Sequence, residues 1–407
     1  MRRYYLVDHK ILFFFGYIFY LFTPYFVGIT NMFEGFPGIE LYQHFFKQIP
    51  ENKLISYAII TLLWLPAFYL GHFCFKLLKP YKKSLQLFPA DATSKGVDYV
   101  GLLLIFVLLL FAFIARNSLR GGYQSYDVGA RGKMSSLLII FNFFLTYQLI
   151  SKQNVSWLLI IGTAITALLL LSMGGRMYVM QTFIIFLIYK TSFAPRPFKI
   201  IHIAGFAILV FLLISFVGIW RMNSSFSTEM AAYSLFAEPV FTWMSTATFL
   251  NSNDIPFFSI PLNFITSFFN LVPNTFFSLQ PYTVSTSQMV ADYQSPLGAD
   301  SVWTNIVINF GSIGSIFFLF ITGFLLNFLR HNSETSRFGA VYYLLTCAIL
   351  PFQFFRDGFY LLHKQLFFNF LILPVLVLVF LKTLQYVQTL FKKQLIMQNK
   401  IQTDPDT

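Results

Sequence analysis

The residues of this 407-residue chain best suited to chemistry are arginines. A guanidinium presents a rigid fork of donors that matches phosphate or carboxylate bidentately, and it keeps its charge at physiological pH. Arg116, Arg120 and Arg131, with Lys133, lie in a glycine-bearing stretch, Ala115-Arg116-Asn117-Ser118-Leu119-Arg120-Gly121-Gly122 continuing to Gly129-Ala130-Arg131-Gly132-Lys133, against Asp127. Arg176 follows Gly174-Gly175, Arg221 ends an apolar run, and Arg356 precedes Asp357. The carboxylates that could move a proton are Asp127, Glu229, Glu238, Asp254, Asp292 and Asp300, most of them readable as plain loop charges. Glu238 precedes Pro239 in an apolar stretch, so a buried acid and a loop charge stand as equal readings. Asp300 opens an apolar run beside Ser301, where helix capping outweighs catalysis.

Metal chemistry finds no support. Cys74 and Cys347 sit inside apolar runs and read as buried free thiols. The histidines are His9, His44, His72, His202, His331 and His363, with no ligand spacing among them and no acidic pair to add. No metal site and no cofactor is expected.

These residues must be positioned by a membrane protein. The chain is 57% hydrophobic and 11% charged, with mean hydropathy +0.66, whereas a soluble domain carries about 25% charged residues. The apolar residues fall in runs long enough to cross about 30 Å of hydrocarbon as helices. Spans are expected at 11–30, 54–75, 97–115, 134–151, 155–173, 175–192, 198–220, 302–328, 338–355 and 364–388. The first is read as a retained span, because no small-residue cleavage site follows it. This gives an all-α polytopic membrane protein of about 10 transmembrane helices in a single integral domain, 1–407. A large loop, 221–301, separates spans seven and eight. Within it, 231–250 and 257–279 read as interfacial or re-entrant helices, and Pro273-Asn274 as a helix break.

Basic residues orient the bundle. Counting along these spans, 18 of the 28 Lys and Arg fall on the side of both termini, which is therefore cytoplasmic. Of these, 13 are Lys and 5 are Arg, whereas the other side keeps 4 Lys and 6 Arg. Topology selection disfavours external cations, so an excess of arginine there needs a reason. Any single one of the six could be a headgroup anchor. Together they suggest an external, membrane-level pocket for a multiply anionic ligand, for which a lipid-linked diphosphate is well matched.

Four stretches resemble the O-antigen polymerase family, the Wzy-type oligosaccharide repeat unit polymerases. They are the arginine- and glycine-rich loop before span four, Leu171-Ser172-Met173-Gly174-Gly175-Arg176, Ile308-Asn309-Phe310-Gly311-Ser312-Ile313-Gly314, and Phe354-Phe355-Arg356-Asp357. One departure is visible: where relatives carry a Glu before the NFG element, this chain has Asn305, with Asp300 slightly earlier.

The resemblance implies a metal-independent membrane glycosyltransferase of GT-C-like architecture. It would join undecaprenyl-diphosphate-linked oligosaccharide units, as both donor and acceptor, into O-antigen, capsule or exopolysaccharide. The implied location is the outer face of a bacterial cytoplasmic (inner) membrane. Membrane lipid and a chain-length regulator protein are the implied partners, and nucleic acid is not among them. Arg176, Arg356, Glu238 and Asp300 would carry catalysis, and Arg116, Arg120, Arg131, Lys133 and Arg221 would bind substrate. A flippase or transporter of lipid-linked oligosaccharide stays open, as does an O-antigen ligase. The lack of a histidine in 221–301 weighs against the ligase, and the lack of repeated halves against the flippase.

Overall fold

The computed structural model describes residues 6–78, 94–114, 116, 128–151, 155–221, 227–271, 279–295 and 299–380, with 383, 386, 387, 389 and 390. Among the described residues all regular structure is helical. In chain order the helices are α1 (His9–Thr30), α2 (Ile39–Lys47), α3 (Glu51–Leu78), α4 (Ser94–Ile114) and α5 (Val128–Ser151). Next come α6 (Trp157–Ser172), α7 (Arg176–Ile188), α8 (Ile200–Arg221), α9 (Thr228–Ser252) and α10 (Leu262–Leu271). The last are α11 (Thr286–Met289), α12 (Val302–Thr335), α13 (Arg337–Ile349), α14 (Gln353–Arg356) and α15 (Phe359–Phe380).

Each expected span overlaps a helix, but 338–355 divides at a turn between Arg337–Ile349 and Gln353–Arg356, and 364–388 runs past the continuously described residues. Six, namely α1, α3, α5, α8, α12 and α15, are long and apolar enough to cross a membrane, and α4, α6, α10 and α13 are shorter apolar helices. Their exposed faces carry residues such as Leu62, Phe106, Phe216 and Phe317. Those side chains stay apolar because lipid, not water, surrounds such a bundle.

The core pair is α3 with α12. A Cβ on Gly71 would lie 1.9 Å from the Phe320 carbonyl oxygen, and one on Gly323 would lie 2.0 Å from that of Phe68. These two glycines let the backbones touch, which is how apolar helices associate where no hydrophobic drive separates them from lipid.

Contacts define two ends of the bundle. At one end the Arg330 guanidinium pairs with Asp8 at 3.1 Å, and His9 Nε2 lies 3.1 Å from His72 Nδ1. At the other, Lys53 pairs with Asp254 at 3.3 Å, and Trp243 Nε1 donates to the Tyr57 hydroxyl at 2.8 Å. The N-terminal residues, the end of α3 and the end of α12 therefore share one end, and 31–53 shares the other with α9.

Segment 221–301 is more ordered than a loop. Its α9 runs 25 residues. The Tyr233 hydroxyl donates to the Pro37 carbonyl, Asn251 donates to that of Phe45, and Lys53 donates to that of Asn253. Both halves of α9 are thus tied to the α1–α3 connection, so it lies across one end of the bundle. Trp243 fixes it there, with its ring centroid 5.3 Å from that of Tyr57.

The Asn309-Phe310-Gly311 element breaks α12. Gly311 has φ +74°, in the left-handed region, and a Cβ there would meet the Phe257 carbonyl oxygen at 2.4 Å. Ser312 N–H donates to Pro256 O and Ile313 N–H to Phe257 O, while Asn309 Oδ1 accepts from Phe264 N–H. Close packing is the weaker explanation for Gly311; the backbone conformation requires it. Gly311→Ala combines strain of about 1–3 kcal/mol with a backbone clash. The purified variant should melt several degrees below wild type in detergent, and an unchanged melting temperature would refute this account of the motif.

Candidate functional site

Arg356 ends α14, a single turn between two helices. The preceding helix, α13, has 13 residues, about 20 Å at 1.5 Å per residue, which is short of the hydrocarbon thickness of about 30 Å. The chain therefore turns back inside the bundle. Gly16 of α1 admits the turn: a Cβ there would lie 2.5 Å from the Phe355 ring and 2.9 Å from Leu350 O. Irregular backbone at this depth is tolerated only when protein covers it or when it lines a cavity, and Leu350, Phe355 and Phe359 are buried. The Phe355 ring stacks on Tyr20, centroids 6.2 Å apart. Tyr20 lies ten residues from Thr30, about 15 Å along the helix. The arginine is thus enclosed among α1, α7 and α9, against Met177 and Glu238.

Arg176 arrives by a different turn. Gly174 at φ +80° ends α6, and Gly175 N–H reaches back to Leu170 O at 2.6 Å. Arg176 is then the first residue of α7. Its Nη1 would lie 2.7 Å from a Cβ on Gly218 of α8, a position bordered also by Ser234 of α9. The next residue, Met177, accepts a contact from Arg356 Nη1 at 3.4 Å, which brings both arginines to one locality. Arg131 on α5 joins them, for its charge acts on Asp357.

Two carboxylates, Glu238 and Asp357, face these cations, and a third, Asp300, lies beside the turn. Glu238 Oε1 lies 3.2 Å from Arg356 Nε, with both side chains about a quarter exposed at 26% and 23%. Asp357 is buried. Burial pushes its carboxyl pKa up, and Arg356, the Gln353 side chain and Arg131 pull against that rise. Asp300 accepts from the Tyr293 hydroxyl at 2.7 Å. Its pKa is raised by burial, against hydrogen bonds from Tyr293 and Ser295. Its Oδ2 would stand 3.2 Å from a Cβ on Gly358, the neighbour of Asp357. Asp300 is not the expected cap: Ser301 takes the N-cap position of α12 without a side-chain cap bond. Asn305 accepts from Thr286 and donates to Ser301 O.

An amide ladder supports the turn. Gln353 Oε1 accepts from Gln181 of α7 and from Gln365 of α15, and Gln365 in turn accepts from Asn369. Asp357 N–H donates to Gln353 O at 2.9 Å. Asp357, Tyr20 and this ladder were missed by motif reading. The available signal was amides inside otherwise apolar spans, where polar groups are expensive.

Four buried polar atoms of this locality make no hydrogen bond among the described residues: Tyr20 Oη, Glu238 Oε1, Arg356 Nε and Asp357 Oδ2. The Arg356–Glu238 contact is therefore one of charge, without an aligned hydrogen bond. Native interiors rarely leave such groups unpaired.

Other expected site residues lie elsewhere. Arg116 is exposed, its guanidinium 4.8 Å from the ring centre of Phe113 on its own helix. Lys133 is exposed on α5. Arg221 ends α8, but its side chain lies outside the described residues, as do Arg120, Asp127 and Pro273-Asn274. Glu229 and Asp292 are exposed, and Asp254 is held by Lys53. Cys74 and Cys347 are free thiols. Among the described residues no group of three or more His, Cys, Asp and Glu could hold a metal ion.

A multi-pass helical membrane protein with an enclosed arginine–carboxylate cluster is the class that fold and site define. The chain belongs to the O-antigen polysaccharide polymerase Wzy family, whose model matches residues 4–388, nearly its whole length. That family acts in membranes on lipid-linked oligosaccharide repeat units, so a role as a polysaccharide polymerase of glycosyltransferase type follows. No curated protein and no solved structure matches the chain.

Proposed function

We propose that this protein polymerises oligosaccharide units carried on undecaprenyl diphosphate, at the outer face of the cytoplasmic membrane, without a metal ion. The observation that carries the reading is Arg356. It is enclosed among helices, its Nε has no hydrogen-bond partner among the described residues, and its Nη1 rests on a thioether, a weak acceptor. Such an arginine is under-used until an anion arrives. Arg356 and Arg176 bind the donor diphosphate and stabilise the charge that develops as it leaves. Arg131 adds to the field. Asp300, oriented by Tyr293, and Glu238 are the carboxylates that face the acceptor hydroxyl. The long apolar helices cross the membrane in this reading, in a GT-C-like arrangement, with α9 over the outer end.

Deleting the gene in its host and resolving the surface glycan on a gel tests this directly. The expected result is loss of the ladder of lengths with a single repeat unit retained. Loss of all surface glycan would instead indicate translocation, and retention of free lipid-linked polymer would indicate ligation.

A further inference from the structure

We infer that Glu238 is an internal stand-in for the substrate diphosphate on Arg356, and that displacement by the donor frees it to take the proton of the acceptor hydroxyl. The inference rests on the proposed function and adds an order to its events.

Charge is the first ground. Three cations, Arg131, Arg176 and Arg356, and two carboxylates, Glu238 and Asp357, share the locality. The cluster thus carries about one positive charge when empty. A diphosphate ester brings about two negative charges. An enclosed site cannot easily hold the resulting excess beside two carboxylates, since unpaired charge away from water is costly. One carboxylate must therefore move away or take a proton. The backbone of Asp357 is held to Gln353 in a covered turn.

Glu238 is the one built to move. Its contact with Arg356 Nε is 3.2 Å long, yet neither atom has a hydrogen-bond partner. A pair held by charge alone gives way to an oxygen that can satisfy the fork bidentately. The next residue, Pro239, lies inside α9. It has no N–H to give the carbonyl four residues earlier, so the helix is loosened at this point. Glu238 is also on α9, the element laid across the bundle end, and not on a spanning helix.

The chemical step then balances. The acceptor oxygen bonds to the anomeric carbon of the donor sugar, and the bond from that carbon to the phosphate oxygen breaks. The leaving diphosphate keeps the electron pair against Arg356 and Arg176. The hydroxyl proton passes to the Glu238 carboxylate. Donor binding thus unmasks the base, and an enzyme without donor does not activate acceptors.

Binding and turnover should consequently shift in opposite directions. Glu238→Gln removes the competing charge but keeps the side chain's shape. In nanodiscs it should bind undecaprenyl diphosphate about tenfold more tightly than wild type, while elongating lipid-linked units about a hundredfold more slowly. Glu238→Asp, which keeps the charge, should remain close to wild type in binding. A residue that only supported the fold would not tighten binding when replaced. Unchanged or weaker binding by Glu238→Gln overturns the proposal, and so does undiminished elongation. If wild type and variant both fail to bind any polyprenyl diphosphate, the proposed function itself fails, a result distinct from the other two.

Discussion

Arg356→Ala should abolish polymerisation, and Arg356→Lys should restore a minor part of it. Losing a charge-assisted contact to a departing diphosphate costs a few kcal/mol, roughly a hundredfold or more in rate. Lysine keeps the charge but not the fork, and the Nε that faces Glu238 disappears with it. The alanine variant also strands Glu238 and the buried Asp357 without their nearest cation. An unpaired buried charge destabilises the fold on its own account, so membrane level must be measured alongside activity. The double variant Arg356→Ala/Glu238→Ala separates the two effects, because it removes one stranded charge. It should insert better than Arg356→Ala while remaining inactive. Recovery of a glycan ladder in the double variant would show that Arg356 serves stability alone.

The second large effect is at Arg176. This residue opens α7, where the positive end of the helix dipole disfavours a cation. Its removal should therefore cost the helix dipole of α7 nothing, and membrane level is measured alongside activity. Activity should nonetheless fall about a hundredfold, with Arg176→Lys intermediate. Its guanidinium fits against Gly218 at a distance that a Cβ would not allow without movement, so the fork is aimed by packing. A well-inserted Arg176→Ala variant with a normal ladder would remove Arg176 from the site.

Much of the helix inventory was legible because apolar runs in lipid have one outcome. Boundaries such as 302–328 against Val302–Thr335 differ by residues that extend beyond hydrocarbon without interrupting the helix. What could not be read was depth. Hydropathy marks α13 as apolar but does not reveal that its 13 residues end inside the bundle. Within 221–301 the helix expected at 231–250 corresponds to α9, Thr228–Ser252, despite its Asn, Ser, Thr and Pro, because Ser245, Thr246 and Thr248 are buried and partnered within the protein.

Among the site residues, arginine type proved the informative signal, and location the uninformative one. Arg176 and Arg356 come together from distant positions through Met177, while Arg116 stays exposed against Phe113. Nothing in composition separates these cases. Asp357 was visible only as a neighbour of Arg356, and its burial is a property of the turn that follows α14. Gly311 marked a motif without explaining it, and its left-handed backbone against the Phe257 carbonyl supplies the reason.

The most direct test of the central claim is elongation by purified protein. Wild type, Arg176→Ala and Arg356→Ala would be reconstituted in liposomes at equal density with undecaprenyl-diphosphate-linked repeat units and EDTA, and products read by mass spectrometry. Wild type should produce a series of lengths differing by one repeat unit, with free undecaprenyl diphosphate released, and both variants should produce almost none. Equal series from all three proteins, or a wild-type series that appears only when a divalent ion is restored, would contradict the account.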